Sequence, residues 1–353
     1  MADAAVPQYL GTDFIQCPPG HRFTLYGAFW ERGQGWNRVK NIEPDKHLRP
    51  AFQTMPAEML DLRARLAERQ RESARGLGAA VHSVIARSTA PFVTGTGLEH
   101  PMENGMAFLS PYGLPYLPGA SIKGVLRRAA QELAVPSDEQ VVDILFGREP
   151  QQGDEDAERG ALSCWDVLPE CHGLHVEIMN PHYSKYYQGI ESPHDAGTPI
   201  PIYFLTLPPD SRFDFYVQCD PLRLTAGPDW RTLLDKAFEH AFDWLGFGAK
   251  TAVGYGAMVR DFRAEQEEQD RRAKQEEAER AERKKAATRA QMSPIERAID
   301  QFLENRADKG QSEISAVIGA VKQGYWKGED KIAVASWLEK EMQATKSAPD
   351  QWR

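Results

Sequence analysis

The chain has 353 residues, a net charge of −9 and 41% hydrophobic side chains, enough for one large domain and a smaller one of ordinary soluble composition. No apolar run approaches the roughly 20 residues that span a bilayer. The opening MADAAVPQYLGTDF lacks a secretory leader's basic and apolar segments, and four scattered cysteines make no disulfide framework, so the cytoplasm is the expected compartment. Free-standing nucleic-acid binders are ordinarily basic, whereas residues 1–260 hold 32 acids against 24 bases. Any contact with RNA must therefore use a local basic surface.

Residues 1–55 are rich in Pro, Gly and aromatics without a clear period. Glu58–Arg75 predicts a helix with Met59, Leu62 and Leu66 on one side and arginines on the other. Val81–Phe92 is β-branched and alternates, which predicts a strand. Ser121–Ala134 predicts an amphipathic helix burying Ile122, Val125, Leu126, Ala129 and Leu133, with Ser121 as its N-cap. Strands are expected at Leu162–Val167 and Arg212–Cys219. Asp229 caps a helix whose buried face is Trp230, Leu233, Leu234, Ala237, Phe238, Ala241 and Leu245, stopped by Gly246. Tyr255–Phe262 predicts a last strand. The order β-α-β-β-α-β is the split βαβ pattern, an α+β, ferredoxin-like (RRM-like) core, with insertions around 93–118 and 174–206.

From Asp261 to Ala290 the chain is almost wholly Glu, Gln, Arg, Lys and Ala, with 9 acids and 9 bases, which predicts a solvated helix. Ser293-Pro294-Ile295-Glu296 then reads as an N-cap, a first-turn Pro and a capping-box Glu. Apolar stripes at Ile295/Ile299/Phe302, Ile314/Val317/Ile318 and Ile332/Trp337/Leu338 predict three helices. The expected organisation is an N-terminal arm and helix (1–80), the core (81–262), a charged helical spacer (263–290) and a small all-α module (291–353).

Three segments carry chemistry. In Pro118-Gly-Ala-Ser-Ile-Lys-Gly-Val-Leu-Arg-Arg128, the cations Lys123, Arg127 and Arg128 crowd the first turns of a helix that has no acid before Glu132. Cations there oppose the macrodipole, so the segment predicts an anion site, with phosphate as ligand; the alternative is pairing with acids elsewhere in the fold. In Trp244-Leu-Gly-Phe-Gly-Ala-Lys-Thr-Ala-Val-Gly-Tyr-Gly256, the glycines 246, 248, 254 and 256 with Lys250, Thr251 and Tyr255 suggest an anion-binding concavity; the alternative is a tight turn. The loop is neither a P-loop nor a dinucleotide fingerprint, since a helix precedes it and Ala249 stands where a P-loop needs Gly. In Met179–Gly189, His182, Tyr183, Lys185 and Tyr186 mix rings with cations as single-stranded RNA recognition does. His182, Tyr183 and Lys185 also allow metal-independent RNA cleavage, with His as acid or base.

Weaker signals are Cys164, Cys171, His172 and His175, which are zinc-type ligands although adjacent Cys171 and His172 do not readily face one metal, and the polar loop from Thr94 through His100 to Gly105. No metal and no cofactor is expected.

The pairing of PGASIKGVLRRAA with WLGFGAKTAVGYG, together with PFVTGTGLEHP, GLPYLPG and IMNPHYSKYYQG, resembles the RAMP superfamily of type III-B CRISPR systems, and within it the sixth-subunit family of the Cmr effector complex. The resemblance covers roughly residues 80–262, with Ala120 where the family pattern usually has Ser. It implies a ferredoxin-like structural subunit with no active site of its own, bound to guide RNA (crRNA) near its 3′ end and close to target RNA. Its neighbours would be the repeated backbone subunit and a head-end RAMP subunit, with no membrane contact. Two other readings stay open: an endoribonuclease that processes CRISPR transcripts through His182, Tyr183 and Lys185, and a nucleotide-binding regulatory protein using the Gly246–Gly256 loop.

Overall fold

A computed structural model of the chain describes residues 2–39, 48, 52–134, 139–148, 158–180, 184–192, 201–224, 229–306 and 309–344. It is a mixed α/β structure that divides into two compact units, Met1–Glu265 and Gln266–Arg353.

In the first unit, helix α1 (Ala57–Leu77) precedes strand β1 (Val81–Ser88), helix α2 (Gly119–Leu133), helix α3 (Glu139–Phe146) and strand β2 (Leu162–Cys164). A hairpin of β3 (His175–Met179) and β4 (Ile202–Thr206) follows, then β5 (Arg212–Cys219), helix α4 (Trp230–His240) and β6 (Met258–Arg260). The main sheet has the spatial order β6-β1-β5-β2, and all its neighbours are antiparallel.

Alternation within the strands decides which side chains are buried. Val84 and Ala86 of β1 lie opposite Phe215 and Phe213 of β5, and all four are buried against α2 and α4. Phe215, Phe238, Phe242 and Phe247 form an aromatic cluster with neighbouring ring centroids 5.1–6.3 Å apart. On the other face, α1 lays Arg71 against Asp214 and Arg63 against Glu170, while Gln70 donates to the Asp166 carbonyl.

Helix ends follow local chemistry. Asp229 caps α4 by accepting from the N–H groups of Arg231 and Thr232. The expected Ser121 cap is corrected: α2 starts two residues earlier, Pro118 is its N-cap position, and Ser121 lies exposed in the first turn. Leu133, expected on the buried face, is 46% exposed at the helix end. The loop beginning at Thr94, polar in sequence, is drawn inward. Thr94 is buried, and His100 stacks on Phe23 with centroids 3.7 Å apart, Nε2 donating to the Phe23 carbonyl and Nδ1 accepting from Met102 N–H.

In the second unit, the helix that starts at Phe262 runs to Gln291 (α5) and is followed by α6 (Pro294–Asn305), α7 (Glu313–Lys322) and α8 (Gly328–Ala344). Ser293 and Glu296 form the expected capping box at α6. Ile299, Val317, Trp326, Val334 and Leu338 make a small apolar centre. Among the described residues, no helix is long and apolar enough to cross a membrane.

Candidate nucleic-acid interface

The glycine-rich loop, residues 246–256, joins α4 to β6 and is bound tightly into the fold. Gly246, Gly248, Gly254 and Gly256 all have positive φ, at 69, 91, 96 and 71°, a region that L side chains rarely adopt. A Cβ on Gly256 would lie 1.8 Å from the Phe247 carbonyl oxygen, and one on Gly248 would lie 2.4 Å from that of Val93, whereas at Gly254 nothing stands within 4 Å. The N–H groups of Phe247, Ala249 and Gly256 donate to Gly256, Val93 and Pro91, and those of Val253, Gly254 and Tyr255 donate within the loop. Much of the expected N–H concavity is therefore spent on backbone partners. Its tip, Ala252–Gly254, stays exposed.

Lys250 also serves the fold. Its φ is +60°, its ammonium is 3.3 Å from Met179 Sδ, and it lies 5.3 Å from the centroid of the buried Phe204 ring. Tyr255 meets the same ring edge-on at 5.7 Å, and burial, aided by the Glu177 charge, pushes its phenol pKa up. The loop thus packs on the β3–β4 hairpin directly beside Met179, where the aromatic segment begins. His182 and Tyr183 lie outside the described residues, as does the side chain of Lys185. Beyond them, Tyr186 and Tyr187 stand 48% and 81% exposed, with ring centroids 5.6 Å apart.

The start of α2 is different. Gly119 presses against β2, where a Cβ would come within 2.1 Å of the Cys164 carbonyl oxygen, and its N–H donates to the Asp166 carboxylate at 2.8 Å. An acid from the fold therefore already sits at this helix end, where phosphate was expected. Lys123 donates to the Leu162 carbonyl at 2.9 Å; burial lowers its pKa, and the nearby Arg159 and Arg127 add to the lowering. Arg128 pairs with Glu132 four residues on, 2.7 Å away, and Glu132 also accepts from His240 at 2.7 Å. Gly124 is exposed, with nothing within 4 Å of an added Cβ. Sequence reasoning missed the charge of Arg159, which bears on Lys123 only once the chain leading into β2 packs on α2. The α2 cations and the glycine loop attach to opposite edge strands, β2 and β6, three strand spacings or about 14 Å apart.

The zinc-type residues serve other ends. Burial pushes the Cys164 thiol up to about 12 and the Cys171 thiol to about 11, and His175 is paired in the hairpin opposite Thr206. Among the described residues, no three His, Cys, Asp or Glu side chains are gathered as metal ligands.

Residues 86–259, from β1 to β6, match the RAMP superfamily. Over that stretch the chain is RAMP-like. It is similar to the CRISPR system Cmr subunit Cmr6 of Pyrococcus furiosus, 28% identical over 241 residues that cover 51% of this chain and 68% of that one. It is also similar to the Cmr6 subunit of Saccharolobus solfataricus, 26% identical over 163 residues, 43% of this chain and 47% of the relative. The chain thus spans from 47% to 68% of the length of these curated relatives. Among solved structures, a chain of the type III-B Cmr-beta complex bound to cognate target RNA aligns with a TM-score of 0.45 and 19% identity, covering 56% of this chain and 64% of that one.

Proposed function

We propose that this RAMP-like protein is a structural subunit of a type III-B CRISPR RNA-targeting effector complex, binding guide RNA near its 3′ end and lacking an active site. The observation that carries the reading is the superfamily match over residues 86–259, the stretch that folds into the four-stranded sheet with the glycine loop at its edge. The order fourth-first-third-second, with every neighbour antiparallel, supports a ferredoxin-like description of that core. Similarity to Cmr6 subunits favours the Cmr-type siblings as partners, among them the repeated backbone subunit. A shared RNA channel also accounts for the acidity of the chain, since one subunit need supply only a stripe of the surface.

The RNA-facing groups in this reading are the exposed loop tip with Gly254 and the neighbouring half-buried Thr251, the exposed Tyr186 together with His182, Tyr183 and Lys185 close to it in sequence, and, on α2, the exposed Ser121 and Arg128 with the half-buried Arg127. Lys123, Lys250, Tyr255 and the inner glycines hold these surfaces in place.

The test is copurification of the tagged chain from cells expressing the sibling subunits. Those subunits and one discrete small RNA should come down with it, and the chain alone should leave labelled repeat RNA intact in EDTA. His182→Ala should leave target cleavage by the assembled complex at its normal rate. Cutting of repeat RNA at one site, abolished by that substitution, would replace the structural reading with the processing enzyme.

A further inference from the structure

The end of α4 departs from the periodicity that precedes it. Leu234, Ala237, Phe238 and Ala241 are fully buried, and a 3.6-residue repeat carries that face on to positions 244 and 245. Residues Ala241–Leu245 instead close as a π-helical turn, with the Gly246 N–H bonded to the Ala241 carbonyl five residues back at 2.8 Å. The wider turn brings Phe242 into the aromatic cluster, 6.2 Å from Phe215 and 5.6 Å from Phe247. Trp244 is turned outward to 77% exposure. Such turns occur mostly as single insertions in helices, frequently at functional sites, and here one presents the largest apolar side chain to water immediately before the glycine loop.

We propose that Trp244 stacks on a nucleobase of the bound RNA. The inference rests on the RNA-binding reading above and adds a base contact to it. The ring's surroundings select the occupant. Asp243 beside it is exposed, which disfavours a phosphate at that point, and Val253, 74% exposed, and the open Gly254 form the loop tip that follows. A protein partner needs a contiguous interface of about 800 Å² on each side with an apolar centre. An exposed flat ring with an acid next to it in sequence, at the entry to a glycine-rich loop, suits one planar partner, and stacking on aromatic side chains is how single-stranded nucleic acid is held without reading its sequence.

The test uses the complex assembled from this chain and its siblings, with Trp244→Ala and Trp244→Phe compared to wild type. RNA retention is measured across a salt series and subunit stoichiometry in the same preparations. Trp244→Ala should assemble normally and weaken RNA retention by about 5- to 150-fold, the range a lost base stack produces. The slope of log affinity against log salt should not change, because no phosphate contact is removed. Trp244→Phe, which keeps a stacking face, should stay near wild type. Unchanged retention in Trp244→Ala overturns the inference, as does a reduced salt slope or a loss of sibling subunits with RNA affinity intact. A wild-type complex that carries no RNA overturns the functional reading itself.

Discussion

The start of α2 and the loop between α4 and β6 look alike in sequence, each combining glycines with lysine or arginine, yet the fold uses them differently. At α2 the fold answers the charges itself: Asp166 meets the helix N-terminus, Lys123 reaches the β2 carbonyl of Leu162, and Glu132 holds Arg128. In the loop the inner glycines and Lys250 are spent on packing, the tip is left open, and an exposed tryptophan stands at the loop's entry in sequence. A basic, glycine-containing segment becomes a ligand surface only where its donors remain unspent after packing, and spending is decided by neighbours distant in the chain.

The comparison breaks most sharply at the glycines. Gly256→Ala and Gly248→Ala combine left-handed backbone with backbone overlap, and each should cost about 2–6 kcal/mol. Gly254→Ala, strained but unobstructed, should cost about 1–2 kcal/mol. Urea unfolding of the three variants checks the ranking, and equal midpoints would mean that steric overlap plays no part.

The junction with α5 comes next. Glu265 accepts from Ile85 N–H and Arg260, Asp261 pairs with Arg87, and Ala264 is buried. A chain ending at Arg260 should therefore melt several degrees below one ending at Asp270, a loss of about 2 kcal/mol. The longer form should retain guide RNA in the complex, and failure to join it would make the removed helices an assembly element.

On α2, Lys123→Ala should lower stability by about 1.5–3 kcal/mol, as expected for a charge-assisted bond to a carbonyl, while leaving the salt slope of RNA binding unchanged. A slope reduced by about 0.7 would show a phosphate contact instead.

Acid should weaken the first unit. Burial holds the imidazoles of His82 and His100 below their ordinary pKa, for His82 despite the neighbouring Asp235. The unfolded chain takes up these protons at about pH 6.5 and the folded chain only at lower pH. The contribution of these two histidines to stability is therefore level above pH 7 and declines as pH falls below about 6.5. The melting temperature should drop by a few degrees between pH 7.5 and 5.5, and a constant value would contradict the assignment.

The smallest effect is expected for Arg128→Ala, whose exposed pair with Glu132 is screened by solvent and should leave the urea midpoint unchanged. Any change should appear in RNA retention.

Much of the fold was legible because its signals are local. Asp229 as a cap, the Ser293–Glu296 capping box, the apolar face of α4 and the alternation in Arg212–Cys219 each depend on neighbours within a few residues. The β3–β4 hairpin falls within an insertion and α3 between two predicted elements, so neither is anticipated, and the burial of Thr94, Met102 and Gly105 was hidden because the loop is held by His100 on Phe23, far away in sequence. Ser121 was misread as a cap because a preceding Pro-Gly pair can start the helix once Asp166 supplies the carboxylate from outside.

The sequence by itself determined the order of the four sheet strands and the two helices packed on them, and the segments whose residue types suit phosphate or base contacts, since periodicity, capping and residue type act over one or two turns. Only the tertiary structure decided which of those donors stay available. The close approach of Gly248 to Val93, the docking of Lys123 on β2 and of Lys250 on Phe204, and the seat of Phe242 beside Phe215 at the π-turn all arise from contacts between segments far apart in the chain.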